Sequence, residues 1–262
     1  MARRRGRERS RLGRTPPEAV DVPLWKEGAV VLEWLRLRAS STYTGQGIDR
    51  GDGSPVLVIP GFLCSDVHFT SMRRWLRRVG YRPYRSGIRL NAGCVDELGR
   101  GLQARVEEIH AATGRPPHLV GHSLGGLLAR AVATLAPAHV ASVVALGSPF
   151  RALRSHPWIL ATTRVLSALE RLRRGTRPGC MTPACDCPTA RSADAYPAAT
   201  IPFTAIYTRS DGIVDWESCR TGDAASDVEV GGTHLGLMYN ADAYAAIAAH
   251  LAAAGKALRA AA

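Results

Sequence analysis

Pro117-His118-Leu119-Val120-Gly121-His122-Ser123-Leu124-Gly125-Gly126-Leu127-Leu128-Ala129-Arg130 is the stretch from which the fold can be read. A short apolar run ends in Gly121, a turn of small residues carries Ser123, and an Ala/Leu-rich helical pattern continues to about Ala136. The pattern is G-x-S-x-G between a strand and a helix, the setting that makes a serine a nucleophile. So tight a turn requires a strained backbone at Ser123. Glycine at 121 and 125 removes Cβ atoms that would strike the neighbouring strand or helix. The strain lifts the hydroxyl above the sheet, and the helix N-terminus behind it favours developing negative charge.

Outward from that turn, strand and helix patterns alternate. Pro55–Pro60 and Val140–Leu146 are continuous apolar runs, as expected of strands buried on both faces of a parallel sheet. Tyr81–Gly87, Ile201–Thr208 and Asp227–Val230 read as further strands. Helical spacing covers Glu18–Arg38, Ser71–Val79 with its arginines outward, Val95–Thr113 ending at Gly114, Trp158–Leu172 and Ala241–Ala254 behind Asn240. In Glu18–Arg38 the apolar stripe is Val22, Trp25, Ala29, Leu32 and Leu35, predicted to lean on the domain. Ser40–Ser54 is Gly/Ser/Asp-rich and reads as loop. The alternation predicts an α/β fold: a doubly wound, mostly parallel sheet of about six strands with helices on both faces. With 262 residues, one domain over 18–262 is expected, behind an Arg-rich disordered tail over 1–17.

In such a sheet, chemistry collects where loops leave the carboxyl ends of strands. Pro60-Gly61-Phe62 follows the first apolar strand, and the Phe62 N–H is a natural oxyanion donor. The Leu124 N–H, next to the nucleophile, is the second. Arg209-Ser210-Asp211-Gly212 and Gly231-Gly232-Thr233-His234 close two later strands. Ser123, Asp211 and His234 therefore occur in the order nucleophile, acid, base. His234 would take the Ser123 proton, and Asp211 would fix the His234 tautomer. Asp215, four residues on, is the rival acid, less favoured because Asp211 lies nearer the strand end. His122 adjoins Ser123, but neighbours on so sharp a turn point apart, so packing beneath the turn is its expected role. His68, His110, His118, His139, His156 and His250 lack a glycine-framed loop and read as surface or satisfied histidines.

Val58-Ile59-Pro60-Gly61-Phe62, Gly-His-Ser123-Leu-Gly, Ser210-Asp211-Gly212-Ile213-Val214 and Gly-Gly-Thr-His234-Leu-Gly-Leu together resemble the α/β-hydrolase superfamily, specifically small bacterial triacylglycerol lipases and esterases, over residues 53–254. The resemblance implies a Ser123-His234-Asp211 triad, an oxyanion hole from Phe62 and Leu124, and no cofactor. It places Phe62, His122 and Trp158 about the substrate. Pro60-Gly61 stands where many lipases have His-Gly, a change that leaves a backbone donor in place. It also implies a lid or cap over 150–200, whose helix carries Trp158, Ile159, Leu166, Leu169 and Leu172 on one side and arginines elsewhere. The expected activity is cleavage of carboxylic esters through an acyl-enzyme; acyl transfer or thioester cleavage could use the same triad.

The net charge is +12, concentrated in residues 1–14 (seven Arg less Glu8) and 151–177 (seven Arg less Glu170). Such patches suit an anionic membrane surface, though solvated tails and helix faces carry similar charge. No nucleic-acid-binding motif accompanies them. No apolar run reaches the roughly 18 residues that span a bilayer, and no cleavable leader pattern is evident, so a cytoplasmic location is expected; the chain is also expected to be a monomer. Cys180, Cys185 and Cys187 lack the paired C-x2-C spacing of well-attested zinc sites, so no metal is assigned. Together with Cys64, Cys94 and Cys219 they are expected as thiols, the alternative being a disulfide from Cys219 to Cys185 or Cys187.

Overall fold

The computed structural model describes residues 17–175, 185, 187–196 and 200–261. The arginine-rich residues 1–16, Cys180 and parts of the 150–200 segment lie outside them. Strands run β1 Glu18–Ala19, β2 Pro55–Ile59, β3 Arg82–Arg85, β4 His118–His122, β5 Ser142–Leu146, β6 Arg154–Ser155, β7 Phe203–Tyr207 and β8 Asp227–Glu229. Six of these form one sheet in the order β3-β2-β4-β5-β7-β8, and every pairing in it is parallel. The expected doubly wound sheet is therefore present, and β1 and β6 add a separate parallel pair.

Helices are α1 Val30–Ala39, α2 Ser41–Thr44, α3 Thr70–Arg78, α4 Val95–Thr113, α5 Leu124–Leu135, α6 Pro157–Arg174, α7 Pro188–Asp194 and α8 Ala241–Ala261. Residues of β2 alternate between the two faces. Val56 and Val58 pack with Trp75 of α3 and Tyr244 of α8, while Leu57 and Ile59 pack with Leu102 of α4 and Leu128 of α5. Both layers are apolar, hence the continuous hydrophobic strands. Gly114, at φ 69°, closes α4 in the left-handed conformation that glycine takes without a Cβ penalty. Asn240 Oδ1 accepts the Ala243 N–H (2.8 Å) and starts α8. No helix among the described residues is long and apolar enough to cross a membrane.

Several elements depart from the sequence pattern. The stretch expected as one helix over 18–38 begins as β1, passes Pro23, and enters a 3-10 turn (Leu24–Ala29) before α1. Its apolar stripe faces outward: Trp25 is 80% exposed, and Leu32 and Leu35 are about half exposed. The buried side instead holds Glu27, Glu33 and Leu37. Arg73, expected outward on α3, is buried beside Asp66 (3.9 Å). The short helix α2 lies where only loop was expected, and α7 is a second helix in the 150–200 segment, where one was expected. In the 150–200 segment α7 docks tightly, since a Cβ on Gly99 of α4 would collide with Thr189. By contrast, Trp158, Val165, Leu169 and Leu172 of α6 are exposed rather than packed on the core. Cys219 is a buried free thiol, so no bridge joins it to Cys185 or Cys187.

Two histidines are sealed in the sheet. His118 bonds Ser142 Oγ through Nδ1 (2.7 Å), and burial pushes its pKa down from 6.5 to about 4. Burial also pushes His122 down to about 3. The unfolded chain binds these protons near pH 6.5 while the native state refuses them. Stability is thus complete above pH 6.5 and falls as pH drops toward 4, by up to about 1.4 kcal/mol per pH unit for each ring. Urea unfolding midpoints between pH 7 and 4.5 should fall accordingly, and His118→Asn should flatten the slope.

Candidate active site

Four loops meet at the carboxyl edge of the sheet. At the centre, Ser123 links β4 to α5 with φ 52° and ψ −122°, one of two non-glycine residues with positive φ among those described. Its N–H bonds Leu146 O of the neighbouring β5 (2.7 Å). A serine preceding a helix commonly caps it; this one makes no cap hydrogen bond, so its hydroxyl is directed elsewhere. The glycines explain how the turn survives. A Cβ on Gly121 would fall on the Gly125 carbonyl, and one on Gly125 would strike the carbonyls of Ile59 and Pro60. The helix thereby starts flush against the end of β2.

That close approach brings the Phe62 loop beside the serine turn. Gly61 lies against Ser123, where an added Cβ would come within 3.1 Å of the serine Cβ. Phe62 follows it in a turn closed by Cys64 N–H to Gly61 O (3.0 Å), and Leu63 takes φ 58°. Asn91, fully buried, donates from Nδ2 to Pro60 O (2.7 Å) and exchanges backbone bonds with Leu63 and Cys64. It anchors the loop that holds Phe62, a role no sequence pattern signalled. Leu124 is the first residue of α5, whose leading N–H groups have no partner within the helix.

The other two loops are fixed to each other. His234 Nδ1 bonds Asp211 Oδ2 at 2.6 Å, with both residues almost wholly buried. Asp211 Oδ1 accepts the N–H groups of Ile213 (2.9 Å) and Val214 (2.8 Å), which hold the carboxylate toward the ring. Asp215, the rival acid, is occupied elsewhere: it pairs with Arg154 and caps the next turn by accepting the Glu217 N–H. The His234 ring sits over the end of β5, where a Cβ on Gly147 would be 3.1 Å from Nδ1. Gly147 directly follows Leu146, the acceptor of the Ser123 N–H. Asp211 and His234 are thus in direct contact, and the Ser123 turn adjoins the same point of the sheet edge through Leu146 and Gly147.

His122 lies beneath that point, 1% exposed, and its Nε2–H donates to the His234 carbonyl (2.9 Å). It ties the His234 loop to the turn that carries the serine. Trp158 stands on α6, exposed, and Phe62 is partly buried. Burial lowers the pKa of His234, but the Asp211 charge and hydrogen bond, with the Glu27 charge, outweigh it and leave the ring above its ordinary 6.5. Glu27 and Glu33 were not legible as site residues. Glu27 reaches the loops of both Asp211 and His234 from the N-terminal segment, Glu33 reaches that of His234, and an acidic residue opposite an apolar stripe ordinarily reads as solvated. No group of His, Cys, Asp and Glu suited to a metal occurs among the described residues.

A family model for the alpha/beta hydrolase fold matches residues 100–185. The chain has the fold of the α/β hydrolases. Its sequence resembles bacterial triacylglycerol lipases. One from Pseudarthrobacter phenanthrenivorans is 30% identical over 204 residues, 69% of this chain and 61% of that protein. One from Burkholderia plantarii is also 30% identical, over 69% of this chain and 55% of its own. The chain therefore spans little more than half the length of these relatives. Among solved structures, the Paleococcus ferrophilus monoacylglycerol lipase superposes with a TM-score of 0.57 at 16% identity, covering 79% of this chain and 97% of that one. The pyrethroid hydrolase PytH gives 0.55 at 21% identity, covering 79% and 98%.

Proposed function

We propose that this chain hydrolyses carboxylic esters of lipid type by a Ser123-His234-Asp211 mechanism. The observation that carries the reading is the buried 2.6 Å contact between His234 Nδ1 and Asp211 Oδ2 beside a serine held at positive φ. Nδ1–H donates to Asp211, so the neutral ring presents an unprotonated Nε2 as base. Nε2 takes the Ser123 proton as Oγ attacks the ester carbonyl. The carbonyl oxygen becomes an oxyanion facing the N–H groups of Phe62 and Leu124, each worth roughly 3 kcal/mol on the barrier. Collapse expels the alcohol, which receives the proton from Nε2, and leaves an acyl-serine. Water activated by the same nitrogen then releases the acid.

Lipid-type esters are favoured on two grounds. The sequence relatives carry the name triacylglycerol lipase. In addition, α6 rises beside the acid loop, where the His156 N–H bonds Ile213 O (2.9 Å), and exposes Trp158, Leu169 and Leu172. An apolar surface adjoining the site suits an acyl chain or a lipid interface, and the helix's arginines suit anionic headgroups. The test is turnover of nitrophenyl acyl esters across chain lengths, joined to labelling by a fluorophosphonate and mapping of the labelled peptide. Turnover is expected, with the label on Ser123. Products formed beside a competing alcohol or thiol should still be mainly the free acid. Lack of turnover across the series, or a label on another residue, sinks the reading.

A further inference from the structure

Glu27 is a buried carboxylate, 7% exposed, on the 3-10 turn ahead of α1. Its Oε1 accepts the N–H of Gly212 (2.8 Å) and of His234 (3.0 Å), and its Oε2 accepts the N–H of Leu235 (2.8 Å). Gly212 directly follows the acid, and His234 is the base. A single side chain therefore receives three main-chain donors from the two loops whose spacing sets the His234–Asp211 bond. Gly212 must be glycine for this, because a Cβ there would lie 2.7 Å from Pro23 O and 2.8 Å from Glu27 Oε1. Six residues on, Glu33 repeats the device, accepting the Thr233 N–H and hydroxyl (both 2.8 Å). We propose that Glu27 is a positioning residue of the ester-cleaving site. It clamps the acid and base loops in register and supplies a second negative charge to the imidazolium that forms when His234 accepts the serine proton.

The clamp rests on the triad reading above and extends it. Backbone N–H groups buried at a loop crossing need acceptors, and a neutral residue could satisfy some of them. A carboxylate does more. It satisfies three at once and brings its charge to the main chain of His234 itself. The groups facing His234 are Asp211 from the acid loop, Glu27 from the N-terminal turn and neutral His122 from the end of β4; Glu33 lies one residue away, on Thr233. Asp211 and Glu27 both favour the protonated ring, against burial.

Glu27→Gln tests the clamp. It keeps the shape, removes the charge and turns an NH2 toward donors that need an acceptor. With a soluble nitrophenyl ester, kcat is expected to fall about 10- to 100-fold and KM to move less than about threefold. Only neutral His234 works as base, so the acid limb of kcat/KM marks its protonation. Loss of the Glu27 charge should move that limb to lower pH by about half a unit or more. Glu27→Asp retains charge but retracts it by one methylene, so kcat should fall while the limb stays near wild type; this variant decides the matter if the glutamine form does not fold. A folded Glu27→Gln enzyme with wild-type kcat and acid limb, whatever its melting temperature, overturns the clamp. So does a folded Glu27→Asp enzyme with wild-type kcat. Ser123→Ala is assayed alongside. Activity surviving there removes the triad reading itself, a failure distinct from that of Glu27.

Discussion

Ser123→Ala is expected to lower kcat by on the order of 10⁴- to 10⁶-fold, with folding intact. The magnitude follows from the division of labour in serine hydrolysis. Without Oγ no acyl-enzyme forms, and only binding and the main-chain donors near Phe62 and Leu124 remain to assist water. The residue's backbone makes the result separable from misfolding. At φ 52° Ser123 occupies a conformation that costs about 1–3 kcal/mol for a residue with a Cβ. Alanine inherits that strain, so its melting temperature should stay near wild type. Ser123→Gly relieves it, and should unfold no lower than wild type while remaining inactive. Calorimetry beside the ester assay checks both. A Ser123→Ala enzyme within tenfold of wild type would end the nucleophile assignment.

Asp211→Asn should lower kcat by about 10⁴-fold, whereas Asp215→Asn should change it by no more than a few-fold. An asparagine at 211 can turn its NH2 toward His234 Nδ1. The ring then carries its proton on Nε2, and the nitrogen that must accept from Ser123 becomes a donor. The imidazolium also loses the carboxylate that holds it. Asp215 sits only four residues away, but its oxygens are committed to Arg154 and to the Glu217 N–H. Asparagine can still accept the Glu217 N–H, so the variant loses only the charge pairing with Arg154, which should cost no more than about 1 kcal/mol of stability, and leaves the chemistry in place. Comparable losses in both variants would contradict the geometry that separates them.

The main strands and the loops that carry Ser123, Asp211 and His234 were legible because their signals are local. Pro55–Ile59 is apolar throughout and Ser142–Leu146 is apolar but for Ser142, a pattern that two-sided burial dictates and few other environments tolerate. The Ser123 turn announces itself through glycines that no side chain could replace. Asp211 and His234 stood out as polar residues in glycine-framed loops. What stayed hidden depends on partners distant in sequence. The stripe Trp25, Leu32 and Leu35 was read as the packing face, yet the face opposite is buried, because donors on Gly212 and Thr233–Leu235 need the acceptors of Glu27 and Glu33. Nothing within residues 18–39 reports those donors. Arg73 was misplaced for the same reason: its counter-charge, Asp66, belongs to a different loop. Helix α7 owes its position to a gap over Gly99 that only the folded α4 presents.

The N-terminal turn also changes where the working unit of this protein begins. A boundary drawn from strands alone would fall just before Pro55, since that segment onward contains the whole six-stranded sheet and the three triad residues. A fragment cut there would keep each reactive group and lose the carboxylates that brace two of the loops. Its main-chain donors at 212, 233, 234 and 235 would turn to water, and the hinge between acid and base would loosen. For anyone trimming, permuting or grafting this scaffold, residues 24–39 travel with the catalytic half and are not a dispensable leader.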